Sequence, residues 1–380
     1  MVSDQLAELN RSIDSLQNAD LKDPEILAAI YRSKNRMDAL VATASAAFEA
    51  SGRWQESRAK SAAAWISTNT RQPIGLARAM VRQGKKLKSM TYVAQAYAEG
   101  EIGAEHVGLF CRVHHRSTAQ AFAIDEKKLL ESATHLRFTR FKRELGYWYA
   151  EVDPDRAERD FKAESERRSF HYSKVLDMFY GDLRLDPIGG EILQNALRSI
   201  EEELFEADWA EARARVGENA TANDLARSHS QRLADALVEL ATRAMAMPEG
   251  ARRPEPLFTV LVGYETFSGP ICELLGGAII PPSAVVKWID SAWIDRIVFE
   301  PPSRVIDVGE TRRIFTGATR RAIQIRDRQC YHDTCEEPME RCQVDHIIPW
   351  SAGGPTTIEN GRLACGFHNR DRHRRDGPGP

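Results

Sequence analysis

Four of the six cysteines lie near the C-terminus, and this clustering constrains the fold more than any other feature of the chain. They are Cys330, Cys335, Cys342 and Cys365. The N-terminal residues show no basic region followed by an apolar run, and no stretch has the length and apolarity of a membrane helix. We therefore expect a cytoplasmic protein with no membrane segment. Because thiols stay reduced in that compartment, the cluster indicates metal ligands rather than disulfides.

The first part of the sequence has the pattern of a helical domain. Apolar residues recur at helical spacing, and Asp23 followed by Pro24 is typical of a helix start, with Ser51-Gly52 at its end. The same spacing predicts further helices over residues 73–85, 90–98, 104–115 and 222–247. We therefore predict that residues 1–250 form a mainly helical domain whose apolar stripes belong to its core.

Strand patterns appear within and after this helical part. The sequence KVLDMFYGDLRL, around Val175 to Leu185, suggests a short hairpin, and PLFTVLVGYETF, from Pro256, suggests a strand. IDRIVFEPPSRVIDVGE predicts two strands joined at Pro301-Pro302. The predicted fold class is α+β. It combines the helical N-terminal domain, a mixed α/β connecting region over residues 251–310 and a C-terminal module over residues 311–380.

The stretch from Cys330 to His373, CYHDTCEEPMERCQVDHIIPWSAGGPTTIENGRLACGFHNRDRH, resembles the HNH endonuclease family. The core of that family is a β-hairpin and a helix around one divalent metal, a ββα-metal module that is often braced by a structural zinc. Pieces such as YAEGEIGAEHV, DPIGGEILQNAL, SHSQRLADALVELA and IDVGETRRIFTGATRRAIQIRDRQC look like the helical domain of unknown function in the 13E12 repeat family. That second resemblance implies an architecture but no activity.

One set of candidate ligands suits a structural zinc. Three thiols and one imidazole form an ordinary tetrahedral zinc set, and two pairs supply them, one before the predicted hairpin and one after it. These four ligands are Cys330, Cys335, Cys365 and His368. Cys342 and His332 are nearby alternatives, and we favour Cys342 as a buried thiol.

A second set suits catalysis. The resemblance to HNH endonucleases implies that Asp345 binds the catalytic metal and that His346 acts on the attacking water. A carboxylate suits a hard ion such as Mg²⁺, and histidine suits proton abstraction near neutral pH. Because adjacent strand residues point to opposite faces, both reaching one site implies a distorted strand end. By the same resemblance, Asn360 bonds backbone across the loop and holds the general base, and Asn369 is a neutral oxygen ligand.

Basic residues concentrate around these ligands. The formal net charge of the chain is -3, yet residues 311–380 hold twelve arginines, no lysine and nine acidic residues. Those expected to contact nucleic acid are Arg362, Arg370, Arg372 and Arg374. His373 lies four residues after Asn369 on the same helix face. It stays open between a metal ligand, a phosphate contact and an exposed side chain.

The sequence therefore predicts a metal-dependent endonuclease that hydrolyses phosphodiester bonds, with double-stranded DNA as the expected substrate. The expected cofactors are one divalent ion, Mg or Mn and alternatively Zn or Ni, and a structural Zn. Two alternatives stay open. One is RNA cleavage by the same site, and the other is a zinc-braced DNA-binding or interaction protein without cleavage. The presence of His346 counts against the second.

Overall fold

The computed structural model describes residues 2–17, 21–217, 220–246, 257–263, 271–274, 276–286, 293–299, 315 and 317–375. The chain divides into two compact units, Met1–Asp153 and Pro154–Pro380. The described residues are mainly helical and include three small sheets, which confirms the α+β class. Among them, no helix has the length and apolarity needed to span a membrane. The domain boundaries at residues 250 and 310 stay predictions.

The first unit contains only helices among its described elements. They are α1 (Val2–Leu16), α2 (Pro24–Ser51), α3 (Ala62–Thr70), α4 (Ile74–Leu87), α5 (Thr91–Glu99), α6 (Ala104–Val113), α7 (Ala119–His135) and α8 (Phe138–Val152). Helix α2 begins as predicted, because the Asp23 side chain accepts a hydrogen bond from the Glu25 amide and Pro24 occupies the first turn. It ends at Gly52, whose φ of 71° is left-handed.

Aromatic rings fill the core of this unit. Phe110, on α6, lies with its ring centroid 5.9 Å from that of Phe122 on α7 and 5.2 Å from that of Phe141 on α8. All three side chains are fully buried. The buried carboxylate of Glu126 accepts hydrogen bonds from the amides of Tyr92 and Val93, which satisfies two orphan donors at the start of α5. The aromatic core and the contact of Glu126 with the start of α5 together hold α5, α6, α7 and α8 against one another.

Helices α2 and α4 approach each other closely at Gly84. A Cβ atom at this position would lie 2.0 Å from the carbonyl oxygen of Ala42 and 2.8 Å from the Cβ of Ala46. Both alanines are buried. The small side chains therefore allow the two helix backbones to meet at a distance that any larger residue would prevent.

The second unit holds the remaining elements. They are α9 (Pro154–Ser165), β1 (Ser169–Val175), β2 (Met178–Arg184), α10 (Pro187–Val216), α11 (His229–Met245), β3 (Leu257–Gly263), β4 (Cys272–Leu274), β5 (Ile279–Ile280), α12 (Pro282–Val286), β6 (Trp293–Phe299), α13 (Gly317–Asp327), β7 (Cys342–His346), β8 (Gly361–Cys365) and α14 (Gly366–Arg375). Strands β1 and β2 form one hairpin and β7 and β8 another, both antiparallel. The third sheet has the order β5-β4-β3-β6, with β3 and β6 parallel.

Two sequence expectations differ from this description. The helix predicted from residue 222 begins at His229, because Ser228 and Gln231 cap it reciprocally. The β1–β2 hairpin is confirmed, but its first strand starts earlier than expected, at Ser169. The strand predicted after Pro301-Pro302 lies outside the described residues.

Buried ion pairs join α10 to α11. The Arg232 guanidinium, almost fully buried, donates from Nε to Glu201 Oε1 at 2.7 Å and lies 3.7 Å from Asp208 Oδ2. Arg227 also donates to Asp208, from Nε to Oδ1 at 3.0 Å. A buried carboxylate without its partner would be strongly destabilising, so these pairs fix how the two helices align.

A further ion pair joins the C-terminal hairpin module to the four-stranded sheet. Glu273, on β4, is almost fully buried and accepts a hydrogen bond from Arg328, just after α13. Arg328 has a φ of 61°, in the left-handed region that residues with a Cβ adopt at a cost. Its carbonyl oxygen accepts a hydrogen bond from the Met339 amide at 2.9 Å. The start of the module is thus held from both sides.

The close approach of α2 and α4 gives a test of the first unit. Replacing Gly84 with alanine should lower the free energy of unfolding by about 1–3 kcal/mol, because the added methyl group meets backbone. Gly75, on the same helix, has no atom within 4 Å of its built Cβ. Gly75→Ala should therefore leave stability unchanged or raise it by up to about 1 kcal/mol. Urea unfolding measures both, and equal stability of the two variants would contradict the packing.

Candidate metal and nuclease site

The β7–β8 hairpin and α14 form the frame of the site. In the hairpin, Asp345 pairs with Arg362 and His346 pairs with Gly361. A Cβ atom at Gly361 would lie 2.2 Å from Ile323 Cδ1, so α13 packs directly against the hairpin backbone there. These elements confirm the predicted order of strand, turn-rich loop, return strand and helix.

Four potential metal ligands meet beside this hairpin. Cys330, Cys335, Cys365 and His368 each offer one ligand atom, and these atoms all lie within 4.8 Å of one another. His368 Nδ1 lies 3.2 Å from the Cys365 sulfur and 3.4 Å from the Cys330 sulfur. Two ligands come from the segment before the hairpin and two from its far end. The group predicted from the sequence is therefore placed for a metal ion.

The two alternative ligands lie outside that group. Cys342 is buried directly opposite Cys365 in the ladder, and its thiol donates to the Glu337 carbonyl oxygen at 3.5 Å. Burial, followed by the neighbouring thiols, raises the pKa of Cys342 to about 12, which favours the protonated thiol. The His332 ring stacks on the His368 ring with centroids 3.9 Å apart. Cys342 is thus buried, as predicted from the sequence, and lies outside the group of four, while the identity of the zinc ligands stays a prediction.

Two arginines hold the carboxylate of Asp345. Arg362, beside it on β8, and Arg372, on α14, both donate to Oδ2. Arg372 also donates to the carbonyl oxygens of His346 and Ile347, and its side chain is only 12% exposed. The described residues donate no hydrogen bond to Oδ1 of Asp345. Arg372 thus ties the helix to the end of β7.

Asn369 lies on the same face of α14, one turn before Arg372. Its Nδ2 donates to Gln343 Oε1 at 2.7 Å, and Gln343 shares a strand face with Asp345, two residues along β7. The Oδ1 atom of Asn369 is buried and has no hydrogen-bond partner among the described residues. A buried amide oxygen and a carboxylate on facing elements are donors that a hard divalent cation accepts, so the residues present fit such an ion.

His346 has its own surroundings. Its Nε2 lies 3.0 Å from the hydroxyl oxygen of Thr356, and its ring centroid is 4.4 Å from that of Phe315. The ladder stays paired up to His346, where the strand ends. The imidazole therefore contacts residues different from those that hold the Asp345 carboxylate. That both side chains act on one ion and its water stays a prediction.

Asn360 bridges the loop between the two strands. Its Oδ1 accepts from the Ile348 amide at 2.8 Å, and its Nδ2 donates to the carbonyl oxygens of Ile348 and Pro355 at 3.1 and 2.7 Å. The side chain is buried. These three hydrogen bonds hold together the two ends of the loop from Ile348 to Asn360, which carries Thr356, the residue in contact with His346. The backbone bridging expected of Asn360 is present, while its effect on catalysis stays a prediction.

The other predicted residues have diverse positions. The Arg362 guanidinium lies over the Tyr331 ring, 3.7 Å from its centroid, and Arg370 is exposed. The side chains of His373 and Arg374 lie outside the described residues, although the backbone of α14 extends to Arg375.

Sequence reasoning missed two contacts of the site, those of Gln343 and Thr356. Alternation along β7 could have placed Gln343 on the face of Asp345. Thr356 lies in an irregular loop, and loop contacts leave no periodic signal in a sequence.

The contacts of Arg372 give a test against a neighbour on the same helix. Arg372→Ala removes one of the two arginines that donate to the buried Asp345 carboxylate, together with the donor to two carbonyl oxygens. The free energy of unfolding should therefore fall by about 2–4 kcal/mol. Arg370 is exposed, so Arg370→Ala should change it by less than about 0.5 kcal/mol. Thermal unfolding of the full chain compares the two. Equally small changes would mean that Arg372 does not hold the strand end.

Comparison with known proteins finds relatives without an established function. An uncharacterized protein of Mycobacterium tuberculosis (strain CDC 1551 / Oshkosh) and one of Mycobacterium bovis (strain ATCC BAA-935 / AF2122/97) are each 28% identical over 95 residues. These matches cover 25% of this chain and 21% of each relative. The chain thus spans about a fifth of the length of the curated relatives it matches. No solved structure matches.

Family models cover most of the sequence. The model of a domain of unknown function, DUF222, matches residues 25–327, and the HNH endonuclease model matches residues 330–375. The second match contains the four-ligand group and the residues around Asp345 and His346. The first spans more than half of the chain. This chain therefore belongs to the DUF222 family and carries an HNH endonuclease domain at its C-terminal end.

Proposed function

We propose that this chain is a metal-dependent endonuclease that hydrolyses phosphodiester bonds in double-stranded DNA, acting in the cytoplasm. The observation that carries the proposal is the pairing of α14 with β7. It leaves two oxygens without a hydrogen-bond donor among the described residues, Oδ1 of Asp345 and the buried Oδ1 of Asn369. The HNH match supports the class of activity, since it covers the same residues.

In this proposal, Asp345 and Asn369 hold one divalent ion, Mg or Mn, with Zn or Ni as alternatives. When bound, that ion stabilises negative charge on the phosphate and on the leaving oxygen. His346 acts as the general base. Its Nε2 exchanges the contact with Thr356 for a water molecule and takes a proton from that water. The resulting hydroxide attacks phosphorus in line with the 3′ oxygen, the bond from phosphorus to that oxygen breaks, and the oxygen leaves and takes a proton from solvent.

Two positioning residues support these groups. Asn360 closes the loop that carries Thr356, which keeps His346 at the end of its strand. Arg372 donates to one oxygen of Asp345, which would leave the other oxygen available to an ion. Such contacts matter because small displacements of a base or a ligand lower rates steeply.

Contacts with the substrate phosphates fall to the more exposed arginines. Arg370 is exposed, whereas Arg362 and Arg372 are engaged by Asp345. We assign phosphate contacts first to Arg370 and Arg374, and then to the free edge of Arg362. His373 remains a candidate third ligand of the catalytic ion, since it follows Asn369 by four residues.

A structural zinc is proposed at the four-ligand group. Three thiols and an imidazole are the donors that zinc accepts in closed tetrahedral sites. None of the six cysteines, all of which the structure describes, forms a disulfide, so the three thiols of the group are available as ligands. Because its ligands come from both sides of the hairpin, the zinc would stabilise the fold rather than take part in hydrolysis.

One observation favours a second candidate function. The negative charge of Asp345 is already compensated by two arginines, an arrangement that also suits a module that no longer binds a catalytic cation. In that case the chain would be a zinc-braced protein that binds DNA without cutting it.

A plasmid assay separates these functions. Purified protein with Mg²⁺ or Mn²⁺ should nick or linearise supercoiled plasmid, and His346→Ala should slow cleavage by about 10²–10⁴-fold because the general base is lost. His135→Ala, at an exposed histidine of the first unit, serves as the control and should cut normally. Metal-dependent cutting that survives His346→Ala would refute the mechanism. DNA binding without cutting under all metals would support the binding protein.

Metal analysis tests the zinc. After dialysis, the wild-type chain should retain one zinc ion per molecule, as measured by inductively coupled plasma mass spectrometry. Cys365→Ser should lose it because a ligand is removed, whereas Cys342→Ser should retain it. Loss of zinc in Cys342→Ser alone would mean that the ligand set is wrong.

A further inference from the structure

The β1–β2 hairpin is exposed on both faces. Every residue from Phe170 to Leu185 is exposed. A two-stranded hairpin on its own is at best marginally stable in water and normally packs on a helix or a further strand. The hairpin therefore has the properties of an element whose partner surface comes from elsewhere.

One face of this hairpin is apolar and aromatic. Phe170 pairs with Leu183 across the ladder, Tyr172 with Gly181 and Lys174 with Phe179. Since alternate residues share a face, these six residues line one side of the ribbon, which we call the aromatic face. The Tyr172 ring centroid lies 5.5 Å from that of Phe170 and 6.5 Å from that of Phe179, so the rings form a continuous row.

The rings of this face supply about half of the area that a standard protein interface buries on one partner. The side chains of Phe170, Tyr172 and Phe179 are 59%, 68% and 68% exposed. With roughly 200 Å² for each ring, they leave about 400 Å² of mainly apolar surface in water. A standard interface buries about 800 Å² on each partner, and Leu183 and the turn residue Leu176 extend the face at its two ends. Exposed patches of this kind mark interaction sites.

The charge of the hairpin identifies the kind of partner. Its strands and turn carry Lys174 and Arg184 against Asp177 and Asp182, so the formal charges cancel. The aromatic face itself bears one charged side chain, that of Lys174. Binding to nucleic acid or to anionic lipid depends mainly on an excess of positive charge. An aromatic face with a single cation, on a hairpin without net formal charge, instead fits another apolar protein surface.

The turn at the tip adds a second observation. Leu176, the first of its two residues, has a φ of 55°, where glycine, asparagine or aspartate are usual and a leucine is strained. The same side chain is 90% exposed. An apolar residue kept at a strained and solvent-exposed position suggests a contact made by the tip.

We propose that the aromatic face of the β1–β2 hairpin is a dimer interface, and that it packs against the same face of a second copy of this chain about a two-fold axis. Such an interface requires one patch that is complementary to itself. The aromatic face is apolar except for Lys174. The lysine side chain is long enough to place its ammonium group at the rim, so two copies of the face can pack together without burying like charges. The dimer brings two HNH domains into one assembly.

The test measures the mass of the full chain against concentration by sedimentation velocity. Wild type should be a dimer at tens of micromolar. The double variant Tyr172→Thr/Phe179→Thr should raise the dimer dissociation constant at least tenfold, since both rings leave the interface while threonine preserves strand propensity. Tyr180→Thr is the matched control, because Tyr180 is 60% exposed on the opposite face of the same hairpin and should leave the constant unchanged.

Other outcomes would overturn the proposal. They are a monomeric wild type at 100 µM, a dimer unaffected by the double variant, and equal effects of the double variant and Tyr180→Thr. Loss of DNA or vesicle binding in the double variant of a monomeric protein would assign the face to another partner. His346→Ala should remain dimeric, so a failure of the nuclease proposal is distinguishable from a failure of this one. Circular dichroism confirms that each variant is folded.

Discussion

The core of the C-terminal module depends on its sulfur atoms. Among the described residues, seven buried residues form its hydrophobic core cluster; three of them are cysteines, and two of these belong to the four-ligand group. A module this small buries too little apolar surface to be stable through hydrophobic contacts alone, and metal ligation commonly supplies the difference. The ligands come from the segment before the hairpin, from the end of β8 and from α14. A metal ion bound there would fix the positions of these three elements relative to one another.

Helix α14 also forms side-chain hydrogen bonds with β7. Residues three apart on the helix meet residues two apart on the strand, so Asn369 contacts Gln343 where Arg372 contacts Asp345. Arg372 also donates to the carbonyl oxygens of His346 and Ile347, at and just after the end of the strand. The position of the Asp345 carboxylate is therefore linked to that of the backbone at His346. The side chain of Arg372 thus contacts both the acid and the backbone of the histidine, although the carboxylate and the imidazole have different neighbours.

The sequence was informative where chemistry restricts residue type. Thiols and an imidazole at suitable spacing identified the four-ligand group, and the resemblance to HNH endonucleases implied the backbone bridge of Asn360. It was less informative about long side chains. An arginine in a basic tail looks the same whether it faces phosphate or a carboxylate, so nothing in the sequence distinguished Arg372 from Arg370. Likewise, strand patterns predicted the first hairpin but not that both of its faces would be exposed, because exposure depends on what lies nearby.

The ion pair between Arg328 and Glu273 determines what kind of connection precedes the HNH domain. The two family matches end and begin on either side of Arg328, at a point where a flexible linker would be usual between domains. Instead, this arginine is bound to a buried carboxylate on one side and to the backbone of Met339 on the other. The junction is therefore held by specific contacts of one residue rather than left as a free linker. An inserted residue would displace Arg328 from Glu273 or from Met339, so the length of this connection is constrained as strictly as that of a secondary-structure element.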